Sequence, residues 1–267
     1  MFKISIVGAG NVAYRMALFL QQAGHSVECV CARDMEKAEK VVRALKRGKS
    51  NAFATTDFNQ LPQSDITILA VSDNAIGQVA AQLPHKGLFT VHTSGATDVK
   101  VLSDAGLENV GVFYPLMTLS MHKDLDIRLI PFLIEASSPT GIDMLKNIVN
   151  SIKAEYKVCD SAKRLQFHTA AIFTTNFINY SLSLAYDIAS PDFVFLLPSA
   201  IESIRKAFLN TPAVSQTGPA RRGDTNTVEK HIQVLQQNEK FAEHLEVYKF
   251  LTEKIYKKYN PDSKNHE

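Results

Sequence analysis

The chain of 267 residues holds only three cysteines, which cannot all pair with one another. It has neither a C-x-x-C motif nor a four-ligand zinc spacing. A disulfide scaffold and a structural zinc site are therefore set aside, and no metal is expected. Charge of one sign is equally scarce: 29 Lys and Arg against 27 Asp and Glu leave a net +2. So small a bias argues against a nucleic-acid binder driven by bulk charge. Long lipid-compatible runs are missing too. The longest uncharged stretch, Thr169 to Tyr186, carries seven Thr, Asn and Ser residues, which suits a helix among helices better than one in a membrane. Met1 to Ile6 runs straight into a glycine turn, leaving no room for a signal-peptide core. The expected setting is reducing and cytoplasmic, with no membrane partner. What remains is 45% apolar and 21% charged, an ordinary globular composition. At roughly 150 residues per domain, the length suggests two domains.

The first half alternates short β-like runs with helix-like segments. Lys3–Val7, Ser26–Cys31, Ile66–Val71, Phe89–His92, Val110–Phe113 and Pro131–Ile134 are apolar, often β-branched, and bounded by Gly, Pro, Asp or Ser. Asn11–Gln22, Met35–Lys46, Ile76–Leu83, Val99–Ala105 and Gly141–Ser151 space their apolar residues three or four apart. Near-continuous apolar strands separated by helices predict a parallel, doubly wound α/β sheet covered on both faces. On the strand-like run Ser26–Cys31, Cys29 and Cys31 point to one face and read as buried thiols. This domain is expected over residues 1–158. From residue 159 to 267 the rhythm is helical throughout, with Lys163–Ile188, Phe193–Leu209, Val228–Gln236 and Lys240–Tyr259 interrupted at Pro191, Pro212 and Gly218-Pro219.

Gly8-Ala9-Gly10-Asn11-Val12-Ala13 follows the first strand and opens a helix, which is the G-x-G-x-x-A dinucleotide fingerprint in its strand–turn–helix context. Gly8 permits the tight turn. Gly10 lets a pyrophosphate approach the peptide N–H groups at the helix start, those of Asn11 and Val12. Ala13 is small enough for close helix–strand packing. In NAD binders an acidic residue about 20 positions further on accepts the ribose 2′-hydroxyl. Here that position holds Arg33, whose guanidinium suits a 2′-phosphate, so NADP is expected in preference to NAD. The other reading makes Arg33 a solvated strand end and gives Asp34 either the acidic role or a helix cap.

Ligands of open α/β sheets bind beyond the carboxyl ends of the strands. Val71 and Ser72, His92 and Ser94, and Tyr114 stand at three such ends; the first four are expected at the cofactor and Tyr114 at a substrate. Turn chemistry accounts for each one singly. Their convergence on one edge favours a site. In the helical half, His168, Ile172 and Asn176 are spaced four apart and would share a helix face. Gly218 to Asp224 reads either as an arginine clamp for an anion or as a turn in which Asp224 caps the next helix.

A Rossmann domain followed by an all-α domain opened by a long helix resembles the superfamily of 6-phosphogluconate dehydrogenase, β-hydroxyacid dehydrogenases, ketopantoate reductase and pyrroline-5-carboxylate reductase. His92-Thr-Ser-Gly95, Tyr114-Pro115-Leu116, His168 with Asn176, and Gly218-Pro-Ala-Arg-Arg-Gly-Asp224 with His231 resemble a branch of it described as NADP oxidoreductases with a C-terminal domain of unknown function. The resemblance implies a 6-phosphogluconate-dehydrogenase-like helical domain, a homodimer formed through it, and hydride transfer to or from a small carbonyl, hydroxyl or imine compound, expected to be anionic. Relatives carry Lys-x-x-x-Asn on the first long helix. Here His168 stands in the lysine's place and Asn176 two turns on, a departure from that pattern. By this resemblance His168 is the acid/base, Asn176 orients the substrate and Arg222 binds its charge. The departure also motivates an alternative, a non-catalytic NADP(H)-binding or sensing protein.

Overall fold

The computed structural model describes residues 1–47, 50–121 and 126–261. The chain divides into two compact units, Met1–Thr175 and Asn176–Glu267. The first is built on eight strands: β1 (Lys3–Val7), β2 (Ser26–Cys31), β3 (Phe53–Thr55), β4 (Ile66–Leu69), β5 (Thr90–His92), β6 (Val110–Pro115), β7 (Phe132–Ala136) and β8 (Tyr156–Val158). Their order is β3-β2-β1-β4-β5-β6-β7-β8. The chain order reverses between β1 and β4, which creates the crevice where such sheets bind ligands.

The sheet is mixed, which corrects the expectation of a wholly parallel one. β1 to β6 are parallel, β7 runs antiparallel to β6, and β8 is parallel to β7. A parallel return needs a crossover, usually a helix. The described residues between β6 and β7 hold only the three-residue turn Ile127–Leu129, so the chain comes back alongside itself. Phe132 thereby pairs with Pro115, and Glu135 with Val112.

Strand alternation divides the core into two faces. Ile4, Ile6, Phe113, Phe132 and Ile134 meet α1 (Asn11–Gln22), α2 (Met35–Lys46) and α5 (Pro139–Ile152). Val7, Cys29, Cys31 and Leu69 meet α3 (Ile76–Ala81) and α4 (Lys100–Asp104). The two thiols do share a buried face, and burial pushes Cys29 up to about 12 and Cys31 up to about 11.

A last helix, α6 (Ser161–Thr174), belongs to this unit, and the compact units part at Thr175. The reason is a set of polar ties between α6 and the sheet, described below. The expected helix over Lys163–Ile188 is in fact two, because Thr175 leaves helical geometry at φ −127°, ψ −69°. The hydroxyls of Thr174 and Thr175 both donate to the Ala171 carbonyl, at 3.2 and 2.7 Å. Such side-chain bonds compete with the helical ladder for the same acceptor.

The second unit comprises α7 (Asn176–Ala189), α8 (Leu197–Asn210), α9 (Pro212–Ser215), α10 (Pro219–Arg222), α11 (Thr225–Gln236) and α12 (Ala242–Tyr259), with no strand among its described residues.

Candidate functional site

The turn from β1 into α1 is shaped by two glycines with different jobs. Gly8 sits at φ +123°, and a Cβ there would lie 2.2 Å from the Ala70 carbonyl oxygen, so β4 approaches too closely for any side chain. Its N–H donates to the Cys31 carbonyl at 2.8 Å. Gly10 faces open space, with no atom within 4 Å of where its Cβ would stand. Helix α1 begins there without a side-chain cap, whereas Asp34, Ser138 and Asp160 cap α2, α5 and α6. First-turn N–H groups have no intrahelical partner and carry the positive end of the helix dipole. At α1 those of Asn11 and Val12 open onto the space that Gly10 leaves clear, a cradle for an anion.

At the end of β2, Asp34 accepts from the Lys37 N–H at 3.2 Å and from its ammonium at 3.3 Å, and these bonds hold its carboxyl below the usual range. Of the two readings of Asp34, the helix cap is the one observed. Arg33 beside it is exposed, and among the described residues nothing pairs with its guanidinium. At the end of β4, Val71 is half-buried, and exposed Ser72 opens the turn Asp73–Ala75.

His92 and Ser94 end β5 in another way than their position suggested. His92 is wholly buried. Its Nδ1 accepts from the Ser94 N–H at 3.2 Å, which puts the proton of the neutral ring on Nε2; that nitrogen has no hydrogen-bond partner among the described residues. Burial, and then the nearby Arg164 charge, pull His92 down to about 4, with Asp98 opposing in part. The ring is neutral at physiological pH. Ser94 Oγ accepts from the N–H groups of Ala96 and Thr97 at 3.2 and 3.0 Å and meets Thr97 Oγ1 at 2.9 Å. His92 Nδ1 and Ser94 Oγ thus both help fold the loop that carries Gly95.

Directly above that loop the structure brings together two residues 54 apart in the chain: Tyr114 Oη lies 3.0 Å from His168 Nδ1. The rings meet edge to face, with centroids 5.8 Å apart at 75°. A Cβ on Gly95 would stand 2.6 Å from His168 Nδ1 and 2.7 Å from Tyr114 Cζ, so glycine is the clearance that lets the pair form. Burial, followed by the charge of Asp73, raises the Tyr114 phenol and keeps it protonated.

Helix α6 is held in place by residues that the sequence did not mark out. Arg164, one turn before His168, is 1% exposed and forms an ion pair with Glu135 of β7. Its Nη2 donates to the Thr97 carbonyl at 2.5 Å and to Ser161 Oγ at 3.0 Å. Ser161 Oγ donates to Glu135 at 2.9 Å and accepts from the Val99 N–H at 3.0 Å. One buried cluster thus joins α6, β7 and the loop after β5. The signal available was an arginine four residues from His168 on a helix with few charges.

Within the second unit, Asn176 is exposed at the start of α7. Asp224 caps α11, accepting from the Thr227 N–H at 3.0 Å, as the structural reading of the Gly218 loop anticipated. Gly223 takes the left-handed conformation at φ +67°. Arg221 donates to the Val214 and Gln216 carbonyls and lies over the Tyr259 ring, so it closes the loop on itself. Arg222 is exposed, and, after the bonds to Thr227, its charge helps lower the Asp224 carboxyl. His231 Nδ1 meets Tyr248 Oη at 2.8 Å. A groove of about 440 Å³ runs between α10, α11 and α12, lined chiefly by apolar atoms of Pro219, Val228, Ile232, Tyr248 and Tyr256. Among the described residues no cluster of side chains could hold a metal ion, and no helix is long and apolar enough to cross a membrane.

Residues 3–93 match the family model described as NADP oxidoreductase coenzyme F420-dependent, and residues 130–255 that of a domain of unknown function, DUF2520. No curated protein matches the chain. Among solved structures, a Bacteroides fragilis protein designated an NADP oxidoreductase is 29% identical, with a TM-score of 0.84 over 96% of this chain and 98% of its own. A Thermotoga maritima protein is 20% identical, with a TM-score of 0.70 over 97% and 98%. A reductive aminase from Aspergillus terreus, solved with NADPH and ethyl-5-oxohexanoate, is 13% identical, with a TM-score of 0.69 over 95% and 94%. The chain is thus similar over nearly its whole length to a protein designated an NADP oxidoreductase, and its fold is a Rossmann-like mixed sheet followed by a helical C-terminal unit.

Proposed function

We propose that this protein is an NADP-dependent oxidoreductase acting on a small carbonyl, hydroxyl or imine compound, with His168 as the side chain that exchanges the substrate's proton. The observation that carries the reading is the open, uncapped start of α1 over Gly10 beside an unpaired Arg33. The amides of Asn11 and Val12 would hold the diphosphate and Arg33 the 2′-phosphate, with Val71 and Ser72 bordering the crevice. The coenzyme supplies or takes the hydride. His168 would act as the general acid/base. Tyr114 closes the same corner, and Arg222, exposed and close enough to Asp224 for its charge to be felt there, is the candidate for the charge of an anionic substrate.

Arg33→Ala is expected to weaken NADPH binding about tenfold or more, the loss of a charge-assisted bond, and to leave NADH binding within about twofold. Calorimetry with both coenzymes checks this. Equal affinities in the unmodified protein would refute the NADP preference. Mixing the protein with NADPH and a panel of keto acids, aldehydes and imines, while following nicotinamide absorbance, tests the reaction. Tight binding with no oxidation throughout would favour the sensing alternative.

We further propose that the helical unit pairs with a second copy of the chain. Helices α7 and α8 have no buried residue, and Phe177, Tyr186, Phe195, Ile201 and Phe208 stand exposed, Phe195 and Phe208 by more than three quarters. Contiguous apolar surface on this scale marks an interface. Light scattering at micromolar concentration should give twice the chain mass of 29.6 kDa, and a monomer would overturn the pairing.

A further inference from the structure

We infer that Tyr114 is a positioning residue: it engages His168 at Nδ1, so that proton exchange with a substrate takes place at Nε2. This reassigns Tyr114, which the sequence placed among the substrate contacts, and it rests on His168 being the proton-handling group proposed above. The geometry supports it in three independent ways. The phenol oxygen and Nδ1 are at hydrogen-bond distance, 3.0 Å. The edge-to-face packing of the rings restricts the imidazole to one orientation. Gly95 sits beneath both groups, where any Cβ would push them apart.

A phenol suits this task because a hydroxyl can both donate and accept. When His168 is an imidazolium, Nδ1–H donates to Tyr114 Oη. When the ring is neutral, the same oxygen either continues to accept or donates its own proton back. The Tyr114 hydroxyl remains protonated in its buried setting, so it supports either form of the ring without itself losing a proton. Nε2 is then the nitrogen left to exchange. In the proposed reaction its proton would pass to the oxygen or nitrogen of the substrate, and would return from that atom in the oxidative direction, with the coenzyme supplying or taking the hydride at the adjoining carbon.

The test is nitrogen-15 NMR of the His168 ring in the unliganded full-length protein, unmodified and as Tyr114→Phe. Phenylalanine keeps the ring packing and removes only the hydroxyl. We expect the unmodified protein to show Nδ1 shifted by its hydrogen bond. Tyr114→Phe should lose that shift and move toward the tautomer mixture of free imidazole. On an identified substrate, kcat should fall about tenfold, the worth of one such bond, with KM little changed. An unchanged His168 spectrum in the variant would overturn the inference, as would a raised KM with kcat intact, which is the signature of a direct substrate contact. Coenzyme calorimetry separates the two levels: a protein that binds no nicotinamide but shows the spectral change retains the Tyr114–His168 coupling and loses only the redox reading.

Discussion

Arg164→Met is expected to remove about 3–5 kcal/mol of stability, the cost of breaking a buried ion pair by deleting one partner. The guanidinium is almost wholly enclosed and serves Glu135, Thr97 and Ser161 at once. Methionine fills much of the volume but leaves the Glu135 carboxylate facing apolar surroundings, with the hydroxyl and N–H of Ser161 still on it. Lysine at this position should recover only part of the loss, since a single ammonium cannot reproduce the planar fork. Urea unfolding followed by circular dichroism measures the effect. The double variant Arg164→Met with Glu135→Leu should be much closer to the unmodified protein than Arg164→Met alone, because no orphan charge remains. A loss below about 1 kcal/mol for the single variant would show that the cluster carries little. His92 offers an independent readout: it should titrate nearer its ordinary value once the Arg164 charge is gone.

Gly95→Ala should leave the fold standing but lower turnover about a hundredfold, the scale expected when reacting groups are displaced by around an ångström. The added methyl would meet His168 Nδ1 and Tyr114 Cζ at 2.6 and 2.7 Å, closer than van der Waals contact permits. One ring or the other must give way, and the bond between them is lost. The methyl should cost about 1–3 kcal/mol in stability, the usual range for overpacking. Coenzyme affinity should stay within about twofold, since Gly95 belongs to the loop after β5 and not to the turn before α1. Turnover within threefold of the unmodified protein would mean that the pair plays no part in catalysis.

The contrast between what could and could not be read from the sequence follows the distance over which each feature is encoded. The G-x-G-x-x-A turn is local, and the strand, turn and helix it predicts are all present, whereas the close approach of Ala70 to Gly8 depends on a distant part of the chain and was not foreseen. The buried pair Cys29 and Cys31 is equally local, set by strand alternation. β3 and β8 were missed because each is three residues long at a sheet edge, and β8 is exposed along its whole length. They exist because a neighbouring strand pairs with them. The reversal of β7 goes with a connection that shows only a three-residue turn among its described residues, and the run of apolar residues alone does not report direction. The Arg164–Glu135 pair spans 29 residues and forms only after the sheet has brought β7 beside β6. The helix break was misread because an uncharged run looks continuous, although Thr174-Thr175-Asn176 carried the hydroxyls that end it.

The reversed strand has a metrical consequence. Glu135 lies opposite Val112, and Tyr114 is two residues further along β6. Two residues of strand advance about 6.6 Å, and the four from Arg164 to His168 advance a helix by about 6 Å. The two rulers agree to within an atom's radius, so bolting the helix down at one mark delivers its next turn to the other. Whatever side chain occupies 168 arrives at the same spot. The proposed acid/base is thus a tool on a handle that Arg164 fixes. Inserting one residue between the bolt and the tool would swing the tool about 100° away.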